Sequence, residues 1–254
     1  MSAPTILVTG ANRGIGLEFV RQYAALGRSV TATCRKPDDA EELHVLARRH
    51  HDITVLQLDV TDDSSIAGCV AALGETPLDL LLNNAGCYGR ASGELDALDK
   101  ADWTAMFEVN TMGPLLVTRA LLPALRRAAA PKVVGLSSVK ASIGRNHMGA
   151  SYQYRSTKAA FNALLRSLAV DLRPTGISVY ALSPGWVDQG EDVSGGLSFD
   201  DRLRKARRFF AEFGGSSARV GLTESVRSMV ATIDRLSPAD SGEFFDHTGR
   251  PLPW

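Results

Sequence analysis

The sequence lacks the features that mark membrane proteins and nucleic-acid-binding proteins. Its longest apolar runs fall far short of the roughly 20 residues that a membrane-spanning helix needs, so we expect no contact with a bilayer. Lysine and arginine together number 28, and so do aspartate and glutamate, which leaves no net field to attract nucleic acid. Residues 1–8 contain no basic segment and predict a first strand, not a secretion signal.

Cysteines are few and carry no ligand pattern. The three of them, Cys34, Cys69 and Cys87, are odd in number and lack the spacing of metal ligands. We therefore expect reduced thiols in a cytoplasmic protein, and no metal site.

What the sequence does contain is an alternation of short apolar runs and helical patterns. With 254 residues, 44% of them apolar, the chain fits one α/β domain over 1–254. The runs predict strands at Thr5–Thr9, Ser29–Thr33, Ile53–Leu58, Leu78–Leu82, Lys132–Ser137, Ile177–Leu182 and Gly242–Phe245. Helical patterns lie near 15–26, 38–50, 62–73, 100–128, 152–172 and 223–236. This alternation predicts a parallel sheet covered by helices on both faces, with ligands beyond the carboxyl ends of its strands.

A glycine-rich turn follows the first strand. The segment 9–16, TGANRGIG, has the spacing G-xxx-G-x-G and not the commoner G-x-G-x-x-G. Glycine permits a tight turn and close approach of the backbone, and the helix that starts here offers free N–H groups to a pyrophosphate. An ordinary glycine turn is the alternative, but its place between a strand and a helix favours dinucleotide binding.

The end of the second strand favours NADP(H) over NAD(H). A free ribose 2′-hydroxyl is usually bound here by a carboxylate, whereas a 2′-phosphate needs a cation. The strand end offers Arg35 and Lys36, and the first acids, Asp38 and Asp39, come later. Arg35 together with Arg13 from the glycine turn could hold the phosphate from two sides. Two solvated arginines are the alternative interpretation, and with it NAD(H).

Polar residues also follow the third and fourth strands. Asp59 could accept a hydrogen bond from an adenine amino group; helix capping, the alternative, is already covered by Thr61 or Asp62. The segment 83–86, NNAG, supplies side-chain amides and a glycine corner where the chain can pass close to a cofactor. Asn110 is an unusual polar residue in an apolar helical context, and a satisfied asparagine at a helix kink is the competing interpretation.

Two serines and a rigid turn follow the next strands. Ser137 and Ser138 come after the fifth strand, where a hydroxyl could donate to a substrate carbonyl oxygen as charge develops on it. The segment 183–187, SPGWV, follows the sixth strand and suits a pocket wall.

Tyr154 and Lys158 form the pair on which the functional interpretation depends. They lie near the start of the predicted helix 152–172, one turn apart and on one face. A free tyrosine has a pKa of about 10, and a nearby ammonium lowers it, so the pair would act as a general acid and base near neutral pH. Tyr152 lies on another face. The alternative is a chance Tyr–Lys pair on an amphipathic helix. The other segments of the chain must decide between these two interpretations.

Taken in order, these segments resemble a short-chain dehydrogenase/reductase over nearly the whole chain. The matching pieces are TGANRGIG at 9–16, LDV at 58–60, NNAG at 83–86, Asn110, Ser138, Tyr154 with Lys158, and PGWV at 184–187. Each is weak alone, but together and in this order they are very specific. The long spacing from Ser138 to Tyr154, the PGW turn and the ending 242–254 resemble the carbonyl-reductase branch, which includes C-factor-like proteins.

The resemblance implies a fold and a role for each catalytic residue. The family fold is a doubly wound, Rossmann-type sheet of seven parallel strands. Tyr154 would give a proton to a carbonyl or accept one from an alcohol, and Lys158 would lower its pKa and bind the nicotinamide ribose. Ser138 would hold the substrate oxygen, and Asn110 would anchor a water for proton relay.

The resemblance also implies where the cofactor lies and how the protein assembles. Asp59 and the Val60 amide would contact the adenine, and Asn84 the ribose region. Family members commonly form homodimers or homotetramers through the helices at 110–128 and 152–172. The full set of residues expected to bind NADP(H) is Gly10, Asn12, Arg13, Gly14, Ile15, Gly16, Arg35, Asp59, Val60, Asn84, Ala85, Gly86, Lys158, Pro184, Gly185 and Val187.

These expectations favour an NADP(H)-dependent oxidoreductase that acts on a small carbonyl or alcohol substrate. The alternative is a cofactor-binding sensor or signalling protein of C-factor type. The intact set of Asn110, Ser138, Tyr154 and Lys158 argues against it, because a sensor needs no proton relay. An isomerase or dehydratase on the same scaffold is less favoured, since nothing marks an additional base.

The chain departs from the family after the PGWV turn. Many relatives have a threonine close behind it, whereas here the sequence continues as DQGED at 188–192. The interval before the glycine-rich piece at 213–218 is long, so we expect an enlarged substrate lid at about 188–222. Apolar spacing at 199–213 predicts an amphipathic helix there, whose other face is basic at 202–208. A solvated face is favoured for this basic cluster over attraction of an anionic substrate.

Overall fold

A computed structural model describes residues 3–89, 95–147, 149–188 and 220–254. They contain one seven-stranded sheet, in which every neighbouring pair is parallel, and one two-stranded sheet. The strands are β1 (Thr5–Thr9), β2 (Ser29–Cys34), β3 (Ile53–Gln57), β4 (Leu80–Asn83), β5 (Lys132–Leu136), β6 (Ser178–Ser183), β7 (Val187–Asp188), β8 (Val220–Gly221) and β9 (Phe244–Asp246). The order in the large sheet is β3-β2-β1-β4-β5-β6-β9, so the predicted seven-stranded parallel sheet is confirmed.

Helices cover both faces of this sheet. Helices α1, α2 and α7 pack their apolar residues on one face, and α3, α5 and α6 pack theirs on the other. Because the central strands are buried from both sides, their sequences are almost continuously apolar. The α-helices among the described residues are α1 (Gly14–Ala25), α2 (Glu41–Arg49), α3 (Asp63–Leu73), α4 (Lys100–Phe107), α5 (Gly113–Leu125), α6 (Tyr152–Leu172) and α7 (Leu222–Arg235).

The strand order places a crevice between the ends of β1 and β4. The chain winds outward from β1 to β3, returns to β4 on the other side of β1, and winds outward again to β9. Connections therefore leave the ends of β1 and β4 in opposite directions, which opens the usual ligand-binding position of a doubly wound sheet. Thr9 ends β1 and Asn83 ends β4 at this position.

Some element boundaries differ from the predicted ones for identifiable reasons. The fourth strand begins at Leu80 because the Leu78 N–H donates to the Ala124 carbonyl at the end of α5 (3.1 Å). The last strand begins at Phe244, after Gly242 with a φ of +92°, which an extended strand does not contain. The predicted helix 100–128 is divided into α4, a π-helical turn at Glu108–Met112, and α5.

The predicted lid falls mostly on 189–219, outside the described residues, and so do its amphipathic helix and basic cluster. The two ends of this segment are described. Val187 and Asp188 of β7 pair in parallel with Val220 and Gly221 of β8. The chain therefore leaves for the lid segment and returns from it at adjacent points, next to the turn that follows β6.

Two further findings concern the described part of the chain as a whole. It contains no helix that is both long and apolar enough to cross a bilayer. Nor does it bring together three or more histidine, cysteine, aspartate or glutamate side chains in a way that could hold a metal ion. The three cysteines are free thiols.

Gly135 allows β5 to lie close to α6, and we predict that a side chain there destabilises the fold. A Cβ atom would lie 2.5 Å from Leu165 Cδ1 and 2.6 Å from Phe161 Cζ. Gly135→Ala should therefore lower the free energy of unfolding by about 1–3 kcal/mol, measured by urea denaturation. The matched control is Gly68→Ala in α3, where no atom lies within 4 Å of the added Cβ. That change should stabilise by roughly 0.5–1 kcal/mol, and equal effects of the two substitutions would contradict this packing.

Candidate active site

The glycine turn between β1 and α1 has a backbone that requires glycine. Gly10 and Gly14 have φ values of +65° and +55°, which residues with a side chain rarely adopt. Helix α1 begins at Gly14, and Arg13 before it makes no side-chain hydrogen bond to the helix end. The first N–H groups of α1 are therefore available to an anionic ligand at the positive end of the helix dipole.

Thr9 and Asn84 fasten this turn to the end of β4. The Asn84 side-chain nitrogen donates to the carbonyl oxygens of Thr9 (2.7 Å) and Gly10 (3.1 Å). The Thr9 hydroxyl accepts from the backbone N–H groups of Asn84 (3.0 Å) and Ala85 (2.9 Å). A Cβ on Gly16 would collide with both the Gly10 carbonyl oxygen and the Asn84 amide. Asn84, predicted to contact the cofactor ribose, here binds and positions the glycine turn.

The two arginines predicted to bind a 2′-phosphate are both exposed. Arg13 precedes α1, and Arg35 follows β2. Burial raises the pKa of the Cys87 thiol, while a hydrogen bond with the Gly89 backbone and the positive charges of Lys158 and Arg35 act against that rise. Cys87 directly follows the Asn-Asn-Ala-Gly corner.

The carboxylate of Asp59 does not cap helix α3. Its Oδ1 accepts from the Thr61 N–H (3.0 Å) and the Thr61 hydroxyl (2.7 Å). The cap of α3 is Asp62, which accepts from the N–H groups of Ser64 and Ser65. Asp62 and not Asp59 therefore caps α3, while the contact of Asp59 with an adenine amino group stays a prediction. Val60 beside Asp59 is buried.

The turn after β6 is supported from behind. Gly185 has a φ of +79°, and a Cβ there would lie 3.1 Å from His247 Nδ1. The Ser225 hydroxyl donates to the Pro184 carbonyl (2.7 Å), which joins the turn to α7. Val187 then enters β7. These contacts fix the position of the turn that was predicted to form a pocket wall.

Asn110 joins the Asn-Asn-Ala-Gly corner to α6. It lies in the π-helical turn Glu108–Met112, a distortion that is frequent at functional sites. Its Nδ2 donates to the Cys87 carbonyl (2.9 Å) and the Thr157 hydroxyl (3.2 Å), and its Oδ1 accepts from the Cys87 N–H (2.8 Å). Asn110 is thus a satisfied, buried asparagine in a distorted helix, and it also lies among the predicted catalytic residues.

Lys158 is buried next to Asn110. A Cβ on Gly86 would lie 3.2 Å from Asn110 Oδ1 and 3.6 Å from Lys158 Nζ, so these residues share one corner of the site. The Lys158 ammonium donates to the Leu136 carbonyl at the end of β5 (2.8 Å) and lies 5.4 Å from the centre of the Phe161 ring. Burial lowers the pKa of Lys158 to about 8.

Tyr154 is a half-buried phenol in contact with another aromatic ring. Its ring stacks on that of Tyr88, with centroids 4.2 Å apart and an interplanar angle of 27°. Burial raises the pKa of Tyr154 well above its ordinary value, and a hydrogen bond with Ser138 acts in the opposite direction. The expectation that Lys158 lowers this pKa is wrong for this structure. Desolvation dominates at Tyr154, and the ammonium of Lys158 binds Leu136 instead.

The two serines after β5 have different surroundings. Ser137 is buried, and its hydroxyl donates to Asn162 Oδ1 on α6 (2.6 Å). Ser138 is only half-buried, and its hydroxyl accepts from the Lys140 N–H (3.2 Å). Ser138 is the serine that acts on the pKa of Tyr154, while Ser137 ties the strand end to the helix.

The loop between Ser138 and Tyr154 is attached to α6 by Arg155. The Arg155 Nε donates to the carbonyl oxygens of Gly149 (3.2 Å) and Ala150 (3.0 Å), and its Nη1 donates to the Lys140 carbonyl (3.4 Å). Ala150 and Ser151 have φ values of +53°, in the left-handed region that residues other than glycine seldom occupy. Arg155 thus stabilises a strained approach to the helix that carries Tyr154.

The structure brings the four predicted catalytic residues to one end of the sheet, at the crevice between β1 and β4. The sequence interpretation missed Thr9, Arg155 and Lys140. Thr9 ends the first strand as a polar residue in an apolar run, which was a usable signal. Arg155 and Lys140 carried no signal of their own beyond closeness in the chain to Tyr154 and Ser138.

Comparison with known proteins gives consistent similarities. A family model described as short chain dehydrogenase matches residues 4–193. The "C-signal" protein of Myxococcus xanthus is 38% identical over 178 residues, which cover 70% of this chain and 93% of that protein. The match to the family model spans the glycine turn, the Asn-Asn-Ala-Gly corner and the helix with Tyr154.

Two solved structures are similar over the whole chain. The NADPH-bound carbonyl reductase from chicken fatty liver has a TM-score of 0.85 and 36% identity, with 100% of each chain covered. The carbonyl reductase Sniffer of D. melanogaster has a TM-score of 0.82 and 30% identity, again with 100% of each chain covered. The fold of this chain is therefore the fold of these reductases.

We predict that Lys158→Met raises thermal stability, because it removes a charge that is buried at a cost. The folded-state pKa of about 8 lies below the ordinary value of 10.5, so the unfolded chain binds more protons between these pH values. Wild-type stability should accordingly rise with pH across that window. The melting temperature of the variant should exceed that of the wild type by several degrees below pH 8, and the difference should shrink toward pH 10.5.

The control for this measurement is Lys100→Met, at the exposed start of α4. It removes the same charge without desolvation, so its melting temperature should follow the wild type at every pH. A Lys158→Met variant that melts below the wild type at pH 7 would show that the hydrogen bond to Leu136 outweighs the cost of burial.

Proposed function

The chain belongs to the short-chain dehydrogenase family, and we propose that it is an NADP(H)-dependent reductase that converts a carbonyl group of a small molecule to an alcohol. The family resemblance found in the motifs is thereby confirmed. The two proteins of similar solved structure are carbonyl reductases, which are oxidoreductases.

The crevice fits a dinucleotide phosphate. Its donor set consists of the uncapped N–H groups of α1 and the two exposed cations Arg13 and Arg35. Glycine at positions 10 and 16 keeps the turn compact, since added Cβ atoms would collide with the neighbouring backbone or amide. NADPH is the cofactor bound to the chicken carbonyl reductase. Bound here, NADP(H) supplies the hydride that is added to the carbonyl carbon.

Arg13 and Arg35 favour NADP(H) over NAD(H). A guanidinium binds a phosphate with two parallel hydrogen bonds and an ionic attraction, whereas a 2′-hydroxyl offers it neither. The end of β2 carries Arg35 and Lys36 where an NAD(H)-specific site would carry an acid.

Tyr154 acts as the proton donor. The observation that carries this proposal is that its half-buried phenol stacks on Tyr88 with centroids 4.2 Å apart and has a raised pKa, with Ser138 acting against that rise. A phenol that keeps its proton at neutral pH can donate it to the alkoxide that develops on the carbonyl oxygen. The Ser138 hydroxyl donates a second hydrogen bond to the same oxygen. These features favour reduction, in which the acid form is needed at the start.

Lys158 and Asn110 position the groups around this proton donor. Lys158 holds a positive charge one helical turn from Tyr154, next to Gly86 of the cofactor-side corner. Asn110 fixes that corner to α6 through Cys87 and Thr157.

We also propose assembly as a homodimer or homotetramer through the helices at 110–128 and 152–172, to be tested by analytical ultracentrifugation.

A signalling role is the second candidate, because the C-signal protein is 38% identical to this chain. In that role the crevice would bind the cofactor without turnover. The two candidates differ in one measurable property, namely whether the protein oxidises NADPH when a carbonyl compound is added.

Tyr154→Phe should lower turnover by about 10²–10⁴-fold, because the ring keeps its stacking on Tyr88 but has no proton to donate. The assay follows NADPH absorbance with a panel of aldehydes, ketones and quinones. Tyr152→Phe removes the same hydroxyl from an exposed tyrosine on the same helix and should leave turnover unchanged. Activity retained by Tyr154→Phe would exclude it as the proton donor, and no activity of the wild type would favour the signalling role.

Arg35→Ala should raise the Michaelis constant for NADPH at least tenfold and leave that for NADH nearly unchanged, because only NADPH carries the 2′-phosphate. Arg13→Ala should act in the same direction. Arg173→Ala, an exposed change in the turn that precedes β6, serves as the control and should alter neither constant. A wild type that clearly prefers NADH would refute the cofactor assignment.

A further inference from the structure

Lys140 lies beside the proposed proton donor and is held there by neutral groups. Its ammonium donates to the Tyr88 hydroxyl (2.7 Å) and to the Ser151 hydroxyl (3.0 Å). The ammonium lies 5.4 Å from the centre of the Tyr88 ring, whose face stacks on Tyr154. The Lys140 ammonium therefore lies at the hydroxyl edge of the Tyr88 ring, whose face stacks on Tyr154.

The charge of Lys140 is not neutralised within the described part of the chain. Several surface cations there pair with carboxylates, as Arg166 does with Glu243 and Arg250 with Asp246. Lys140 has hydroxyl partners only, and it is half-buried. An ammonium has three donors, so two hydroxyls leave one N–H and the whole positive charge for another group.

The loop gives this cation a fixed position. Ser151 has a left-handed backbone and lies three residues before Tyr154, while Tyr88 is held against Tyr154 by stacking. Arg155 binds the Lys140 carbonyl from the helix. A long lysine side chain normally keeps much of its rotational freedom, and two hydroxyl partners restrict it at the edge of the site.

We infer that Lys140 makes the site selective for carbonyl substrates that carry a carboxylate near the reacting carbon. The inference rests on the proposed reductase function and extends it to a class of substrate. The carboxylate would accept the remaining Lys140 N–H, in a charge-assisted hydrogen bond, while the carbonyl oxygen meets Ser138 and Tyr154. The basic cluster predicted at 202–208 lies outside the described residues, and the inference does not depend on it.

The test compares acids with their neutral esters. Initial rates of NADPH oxidation are measured with 3-formylbenzoate and 4-formylbenzoate and with the methyl ester of each, at low and at high salt. For at least one isomer, the wild type should prefer the acid about tenfold in kcat/KM, mainly through a lower KM. High salt should reduce this preference, because the charge pair is partly exposed.

The variants assign the preference to one side chain. Lys140→Met should abolish the preference for the acid, so that kcat/KM for the acid falls to about that for its ester, and Lys140→Arg should keep most of the preference. Lys100→Met removes an exposed lysine from the start of α4 and should behave as the wild type. A folding defect in Lys140→Met would lower the rates with acid and ester alike, so the ratio of the two remains the decisive quantity.

Three outcomes would overturn the inference. One is reduction of the esters by the wild type with no preference for either acid, which would leave the proposed reductase function intact. The second is an acid preference that Lys140→Met retains, which would place the responsible cation elsewhere. The third is no turnover of any of the four aldehydes, which would count against both the substrate class and the reductase function.

Discussion

The site depends on the hydrogen bonds that join Thr9 to Asn84 at the crevice of the sheet. β1 and β4 pair in parallel over residues 6–8 and 80–82, and beyond this paired part their connections leave in opposite directions. The Thr9 hydroxyl accepts two backbone N–H groups from the end of β4, and the Asn84 amide donates back to two carbonyls of the glycine turn. This exchange sets the distance between the helix end that suits a phosphate and the corner that leads to Lys158.

Burial of Tyr154 and Lys158 has opposite effects on their pKa values. Desolvation disfavours the charged form of each group, so it raises the pKa of the phenol and lowers that of the ammonium to about 8. The phenol thus keeps its proton at neutral pH, whereas the lysine begins to lose its proton just above neutral pH. A site in this state is prepared to give a proton away, which suits reduction of a carbonyl more than oxidation of an alcohol.

Much of this arrangement could be predicted from the sequence, since it depends on local spacing. The order of strands and helices, the glycine turn, and Tyr154 one helical turn from Lys158 all follow from residues close together in the chain. The partners could not be predicted, because Leu136 and Tyr88 reach these side chains only through tertiary packing. The predicted direction of the Tyr154 pKa shift was wrong for the same reason, because the burial of a side chain is a property of the folded chain.

Two residues directly before α6 have a strained backbone. A non-glycine residue with a positive φ costs on the order of 1–3 kcal/mol and persists only where its surroundings hold it. Ala150 and Ser151 are such residues, and Arg155 binds the carbonyl of Ala150 from the helix. Because Arg155 directly follows Tyr154, its hydrogen bonds join the loop at 149–151 to the backbone of the proposed proton donor.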